Sequence, residues 1–185
     1  QPGASHTFVQ ESGAISNPHL WSLDDPYLYK VQTIVMDGKK VVDNYTTPLG
    51  FRWYEFNPDK GFFLNGKKIF LRGFNVDQDE YGWASASVDS KFYRDVKILK
   101  DCGTRIIRMA RYPHPQAIYD ACDKIGMLVM DEMCFAPSTG GPDNNHGVGV
   151  PYTLPDKRAQ DYLKTTMKDV VKEHRNHPSI IMMCI

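Results

Sequence analysis

The chain has 185 residues, a hydrophobic fraction of 42%, and 22 basic side chains against 22 acidic ones. That is enough apolar matter for one domain or two small ones, and the balanced charge excludes electrostatic capture of nucleic acid or of an anionic membrane surface. No run is long enough to cross a bilayer, and the opening QPGASHTF lacks the charged and apolar regions of a signal peptide.

Residues 1–56 read as short strands. NPHLWSLDDP is punctuation around one large anchor, Trp21. YLYKVQTIVM alternates and is rich in β-formers, DGKK supplies an Asp-Gly hairpin turn, and VVDNYTTPLGFRWYEF returns. A complete sandwich takes about seven strands and about 100 residues, so this stretch is expected to be the last strands of an antiparallel one.

From residue 57 onward the pattern changes. GFFLNGKKIFLRG is a second hairpin turning at Asn65-Gly66. VDSKFYRDVKILKDCG places Phe92, Val96, Ile98 and Leu99 at helical spacing, with Asp89 or Ser90 as cap and Gly103 as stop. TRIIRMA is then a short strand, PQAIYDACDKIG a helix closed by Gly126, and MLVMDEM another strand. A Gly/Pro/Asn-rich loop leads to DKRAQDYLKTTMKDVVKEHR, a helix with the stripe Ala159, Tyr162, Leu163, Met167, Val170 and Val171. The last strand, after Pro178, is apolar on both faces. A free carboxylate at Ile185 would be an unpartnered charge out of water, so the expectation is that the natural polypeptide runs on past it.

Strand and helix alternating in this way demand a parallel sheet with right-handed crossovers, either doubly wound or half of a (β/α)8 barrel. No G-x-G-x-x-G follows the first strand, which removes the usual support for nucleotide binding. Polar residues collect just after each strand: Asn75, Asp77 and Asp79, then Arg111 and Tyr112, then Asp131 and Glu132. In a barrel that end is the catalytic face. The four cysteines, Cys102, Cys122, Cys134 and Cys184, show no CxxC spacing, and buried free thiols fit them better than a disulfide framework.

At these residues the chain resembles glycoside hydrolase family 2, the family of β-galactosidases and β-glucuronidases. LWSLDDPYLY, GFRWYEF, GFFLNGKKIFLRGFNVDQD, DVKILKDCGTRIIRMARYP, YDACDKIGMLVMDEM and HRNHPSIIMMCI carry the resemblance and cover nearly the whole chain. It implies that residues 1–56 end an immunoglobulin-like β-sandwich and that residues 57–185 begin a catalytic TIM barrel. It also implies that the strand after RNHPSI runs into Gly-Asn-Glu, whose Glu is the general acid/base, and that the nucleophilic Glu lies on a later strand. Both fall beyond Ile185, so these 185 residues alone are expected to be inactive.

The resemblance implies substrate contact at Asn75, Asp77, Arg111, Tyr112 and Glu132; Asp79, after the first strand, and His146, in the loop after the third, are further candidates because they lie at the catalytic face. Asp77 stands where the family usually has histidine, and Ala110-Arg111-Tyr112-Pro113 stands for Ser-His-Tyr-Pro. An Asp77–Arg111 ion pair would replace two imidazoles; an unpaired Arg111 would suit a carboxylate or a sugar hydroxyl. Asp131 and Glu132, adjacent on a strand, must face opposite sides, so one serves the pocket and the other a helix. His174 and His177 precede a strand on the stability face and read as structural, not as metal ligands. Trp83 is a candidate for stacking on a sugar or for packing against its own loop, and Asn44-Tyr45-Thr46 has the form of a glycosylation acceptor.

The reading is therefore part of a retaining exo-β-glycosidase, β-galactosidase-like, with a carbohydrate substrate, no cofactor and no metal ligated by these residues. A β-glucuronidase or β-mannosidase of the same family is the alternative, Arg111 favouring an acidic sugar, and a non-catalytic carbohydrate-binding relative is the competitor from another class. A homo-oligomer is compatible with all of these. Half a barrel leaves open strand edges that invite pairing with another chain.

Overall fold

The computed structural model describes residues 3–133 and 157–184. β1 (Tyr29–Asp37) and β2 (Lys40–Leu49) form an antiparallel hairpin in register from Tyr29↔Leu49 to Asp37↔Lys40. Its turn runs through Gly38 at φ 57°, a left-handed conformation that the Asp-Gly pair anticipates. Val31, Ile34, Val35, Met36, Val41, Val42 and Tyr45 of this hairpin are exposed.

Three short strands follow: β3 (Tyr54–Asn57), β4 (Gly61–Leu64) and β5 (Lys67–Ile69), paired antiparallel in that order. The β4–β5 turn uses Asn65 at φ 50° and Gly66 at φ 78°, as the sequence predicts. The returning strand of the first hairpin is shorter than expected. It ends at Leu49, and Tyr54–Asn57 pairs with β4 instead. The break has a physical cause. At Gly50 a Cβ would lie 2.6 Å from Pro178 Cγ, and Arg52 turns inward to donate to the Pro178 carbonyl at 2.8 Å and the Ile180 carbonyl at 2.6 Å.

The third sheet contains β6 (Gly73–Val76), β7 (Ile106–Met109), β8 (Leu128–Glu132) and β9 (Ile180–Cys184), adjacent in chain order and all parallel. α1 (Asp89–Asp101) lies between β6 and β7 in the chain, α2 (Gln116–Ile125) between β7 and β8, and α3 (Lys157–His174) between β8 and β9. α1 begins after Val88, which offers no side-chain cap; Asp89 sits in the first turn, where the helix dipole favours an acidic group. α2 ends at Gly126 with φ 79°, where a Cβ would strike the Leu23 carbonyl.

Alternation along the strands divides the sheet into two faces. On one, Ile107, Met109, Val129 and Ile180 meet Phe92 and Val96 of α1 and Ile118, Tyr119 and Cys122 of α2. On the other, Leu128 and Ile181 meet Trp21, Leu23, Phe62 and Leu64, so the segment before β1 and the β4 strand close the floor of the parallel sheet. Two helical stripes are narrower than the sequence suggests. Ile98 of α1 is exposed, and on α3 Tyr162 and Val171 face solvent while Val170 and His174 are buried. Cys102 is exposed, against the expectation for it, whereas Cys122 is fully buried. The architecture is mixed: β-sandwich strands, then the open first half of an α/β barrel.

Candidate active site

The register of the parallel sheet sets the polar residues in line. Asn75 on β6 lies opposite Arg108 on β7, Arg108 lies opposite Met130 on β8, and Glu132 is two residues further along the same face. The Arg108 guanidinium spans this line. One nitrogen, Nη1, donates to Asn75 Oδ1 at 3.2 Å. The other, Nη2, lies 2.8 Å from Glu132 Oε1 and 2.6 Å from Oε2. The Glu132 side chain is 7% exposed and that of Arg108 34%, so a nearly buried carboxylate is neutralised by a cation that still reaches solvent. Cys184 on β9 lies opposite Glu132. Burial and the Glu132 charge push its thiol up, opposed by a hydrogen bond from Arg108.

Arg108 is the residue that sequence reasoning missed. It sits inside RIIRMA, whose apolar residues draw attention to the core. The signal was the period of two: Ile107 and Met109 face the helices, which leaves Arg108 on the axis side with Asn75.

Asp131 faces the other way. Its Oδ1 accepts from the Tyr119 hydroxyl at 2.7 Å and from the Glu132 amide at 3.1 Å, and its Oδ2 lies 2.7 Å from His174 Nδ1. The division of Asp131 and Glu132 between helix and axis follows the expected alternation. A second pair stands beside it. His177 Nδ1 lies 2.6 Å from Asp123 Oδ2, Asp123 Oδ1 accepts the Ser179 amide at 3.0 Å, and His177 Nε2 is 2.6 Å from the Gln116 amide nitrogen. Both imidazoles thus have a carboxylate partner and are buried beneath the helices. Burial first, then the Asp131 charge and hydrogen bond, raise the Tyr119 phenol well above its ordinary value.

Asp77, Asp79 and Arg111 are exposed at the strand ends, with Tyr112 half-buried among them. The Tyr112 phenol is pushed up by burial and by Asp79 and Asp77, against Arg111 and a backbone hydrogen bond with Gln78. Asp77 and Arg111 form no ion pair among the described residues. The carboxylate–guanidinium contact is made instead by Glu132 and Arg108, whose strand positions are fixed by the ladder. The Ala110-Arg111 peptide at this turn is cis. His114, four residues past Ala110, is buried, with Nε2 3.1 Å from the Ala110 carbonyl, and burial lowers its pKa. Trp83 is 63% exposed, so it does not pack into its loop. Asn44-Tyr45-Thr46 lies on the exposed strand β2. His146 and Cys134 lie outside the described residues.

Comparison with known proteins assigns the arrangement to a family. Residues 57–185 match the model for "Glycosyl hydrolases family 2, TIM barrel domain", and residues 2–52 match the model for "Glycosyl hydrolases family 2". A β-glucuronidase of Bacteroides fragilis is 33% identical over 90% of this chain and 23% of its own length. A β-galactosidase of Bacteroides ovatus is 31% identical over 100% of this chain and 21% of its own. The structure of Bacteroides uniformis β-glucuronidase 2 covalently bound to cyclophellitol-6-carboxylate aziridine superposes with a TM-score of 0.81 at 32% identity, covering 94% of this chain and 19% of that one. The chain spans about a fifth of the length of the curated relatives it matches. With matches that take in both its strands and its parallel sheet, the chain belongs to glycosyl hydrolase family 2.

Proposed function

We propose that the chain forms one wall of the sugar pocket of a retaining exo-β-glycosidase, β-galactosidase-like, acting through general acid catalysis and a covalent glycosyl intermediate. The observation that carries this reading is the Asn75–Arg108–Glu132 line on the axis-facing side of the parallel strands, toward their C-terminal ends, in a family of glycosidases. Asn75 and Glu132 offer acceptors to sugar hydroxyls, and Arg108 holds both in place. Asp77, Asp79, Arg111 and Tyr112 rim the pocket.

Retention needs two carboxyl groups about 5–5.5 Å apart, one to protonate the leaving oxygen and one to attack the anomeric carbon. Glu132 is committed to Arg108 and Asp131 to Tyr119 and His174, so neither is free for those roles. In this reading Asp131 and Glu132 position the pocket and are neither the acid/base nor the nucleophile.

One observation favours a second reading, a β-glucuronidase. Arg111 is exposed at the rim and makes no ion pair among the described residues, which leaves its fork of donors open to a uronate. Relatives of that name stand beside the galactosidases. The test is to express the whole reading frame that contains this chain and to assay it with p-nitrophenyl β-galactoside and β-glucuronide. Turnover of either supports the glycosidase reading, and the preferred sugar decides between the two. No turnover of any β-glycoside overturns it.

A further inference from the structure

The loop between β6 and α1 is built, not slack. Glu80 and Ala84 exchange backbone hydrogen bonds of 2.9 and 2.8 Å, the Trp83 amide donates to the Glu80 carbonyl at 3.1 Å, and the Ala86 amide to the Trp83 carbonyl at 3.0 Å. Gly82 at φ 80° and Ala84 at φ 47° make the tight reversal. Lys91 of α1 fastens the loop to the helix through Glu80 at 3.1 Å and is itself held by Asp95 at 2.9 Å. The two hydrogen-bonded carboxylates outweigh the cost of burial and raise the Lys91 pKa, so its ammonium is a fixed charge.

On this rigid turn Trp83 is left 63% exposed and Tyr81 fully exposed. Beneath Trp83 is a hollow of about 170 Å³ lined by Glu80, Trp83, Ser87, Val88, Lys91 and Arg94. Ser87 Oγ is buried without a hydrogen-bond partner among the described residues. A buried hydroxyl costs free energy until something bonds to it. Exposed indole on a fixed support is likewise an apolar surface without cover.

We infer that this hollow is a sugar-binding subsite, separate from the Asn75–Arg108–Glu132 line, that takes the leaving-group sugar of an oligosaccharide. The inference rests on the glycosidase reading. A pyranose has an apolar C–H face for the indole and Val88, and a hydroxyl edge for Ser87 Oγ, Glu80 and Arg94. The wall carries Lys91 and Arg94 against Glu80, and both cations are also paired with Asp95 of α1, so their charge is already compensated, which suits a neutral sugar better than a second uronate. The loop leaves the C-terminal end of β6, the end at which the polar line stands. At about 170 Å³ the hollow is smaller than drug-sized pockets of roughly 300–1,000 Å³, as one ring requires.

The test compares lactose with β-galactosyl fluoride, whose leaving group is a single atom, in the whole natural protein; for a glucuronidase, a β-glucuronyl disaccharide and β-glucuronyl fluoride replace them. Trp83→Ala is expected to lower kcat/KM for the disaccharide about tenfold or more and to leave the fluoride within about twofold, with Ser87→Ala producing a smaller fall of the same kind. An unchanged ratio, or equal losses on both substrates, overturns the subsite. If the protein turns over neither substrate, the glycosidase reading fails by itself. NMR saturation transfer from the protein to the disaccharide then decides: loss of transfer in Trp83→Ala supports the subsite, and equal transfer in both proteins, or none in the unaltered one, overturns it.

Discussion

Asp131 and Glu132 are consecutive residues whose carboxylates are held on opposite faces of one strand, Asp131 by Tyr119 and His174 at 2.7 Å each and Glu132 by Arg108 at 2.6 Å. The Glu132 amide donates to Asp131 Oδ1 at 3.1 Å, so the helix-side network also fixes the backbone from which the axis-side carboxylate projects. Packing of α2 and α3 is thereby coupled to the placement of Arg108 and, through it, of Asn75.

Removing Arg108 should expose the cost of that design. Arg108→Met leaves the Glu132 carboxylate nearly buried and unpaired, and breaking one side of such a pair is expensive. Arg108 is a third open to solvent, which sets the expected destabilisation at the low end, about 3 kcal/mol by urea unfolding. The double variant Arg108→Met/Glu132→Leu should recover most of the loss, because no orphan charge remains. A double variant as unstable as the single one would show that the pair contributes net attraction.

Alkaline pH should unfold the protein through Tyr119 and Cys122. Both acids have folded pKa values raised above the ordinary 10.0 and 9.0, by burial first and by Asp131 or Asp123 next. The unfolded chain therefore gives up these protons at lower pH than the folded one, and stability present below pH 9 is lost as pH rises, by about 1.4 kcal/mol per unit for each group. Tyr119→Phe should flatten the slope above pH 10. It should also cost about 1.5–3 kcal/mol at neutral pH, since the hydroxyl donates to Asp131 and accepts the His114 amide.

Acid should act through His114. Its imidazole is buried and its pKa lowered, chiefly by burial, so the unfolded state takes up a proton first as pH falls below about 6.5. Stability present above that value is lost below it. Replacement by Gln should reduce the acid-side slope, read from urea unfolding at pH 7, 6 and 5, and an unchanged slope would relieve His114 of the role.

The parallel sheet was legible because its signals are local. Gly103 and Gly126 mark helix ends, the Asp131-Glu132 alternation follows from the strand period alone, and Asn65-Gly66 dictates its own turn. What could not be read depends on contacts distant in sequence. The end of β2 is set by Pro178 pressing on Gly50, a contact 128 positions away that no local pattern encodes. The Asp77–Arg111 pair is suggested by adjacent strands, but both residues lie past the ladder, where register no longer fixes direction. Arg108 lies within the ladder, and its signal is weak because it is the single polar residue of β7, with apolar Ile106 and Ala110 on the same face.

Trp21 should prove the strongest single tie between the segment before β1 and the parallel sheet. Its indole is wholly buried among Leu23, Phe62, Leu64, Leu128 and Ile181, and Nε1 donates to the Asp123 carbonyl at 2.7 Å. Trp21→Ala removes a large ring from a packed site and is expected to cost about 3–5 kcal/mol. Trp21→Phe keeps most of the packing and loses chiefly the hydrogen bond, for about 1–2 kcal/mol. The same Asp123 holds His177 at 2.6 Å and the Ser179 amide at 3.0 Å, directly ahead of β9. Loosening its backbone should therefore speed amide hydrogen exchange at Ser179 and Ile180, and at Val129, whose amide donates to the Ser179 carbonyl, in Trp21→Ala, while Ile107 and Met109, packed on the helices, keep their protection. Equal acceleration at all five amides would mean that the protein opens as a single unit and that Trp21 acts on global stability alone.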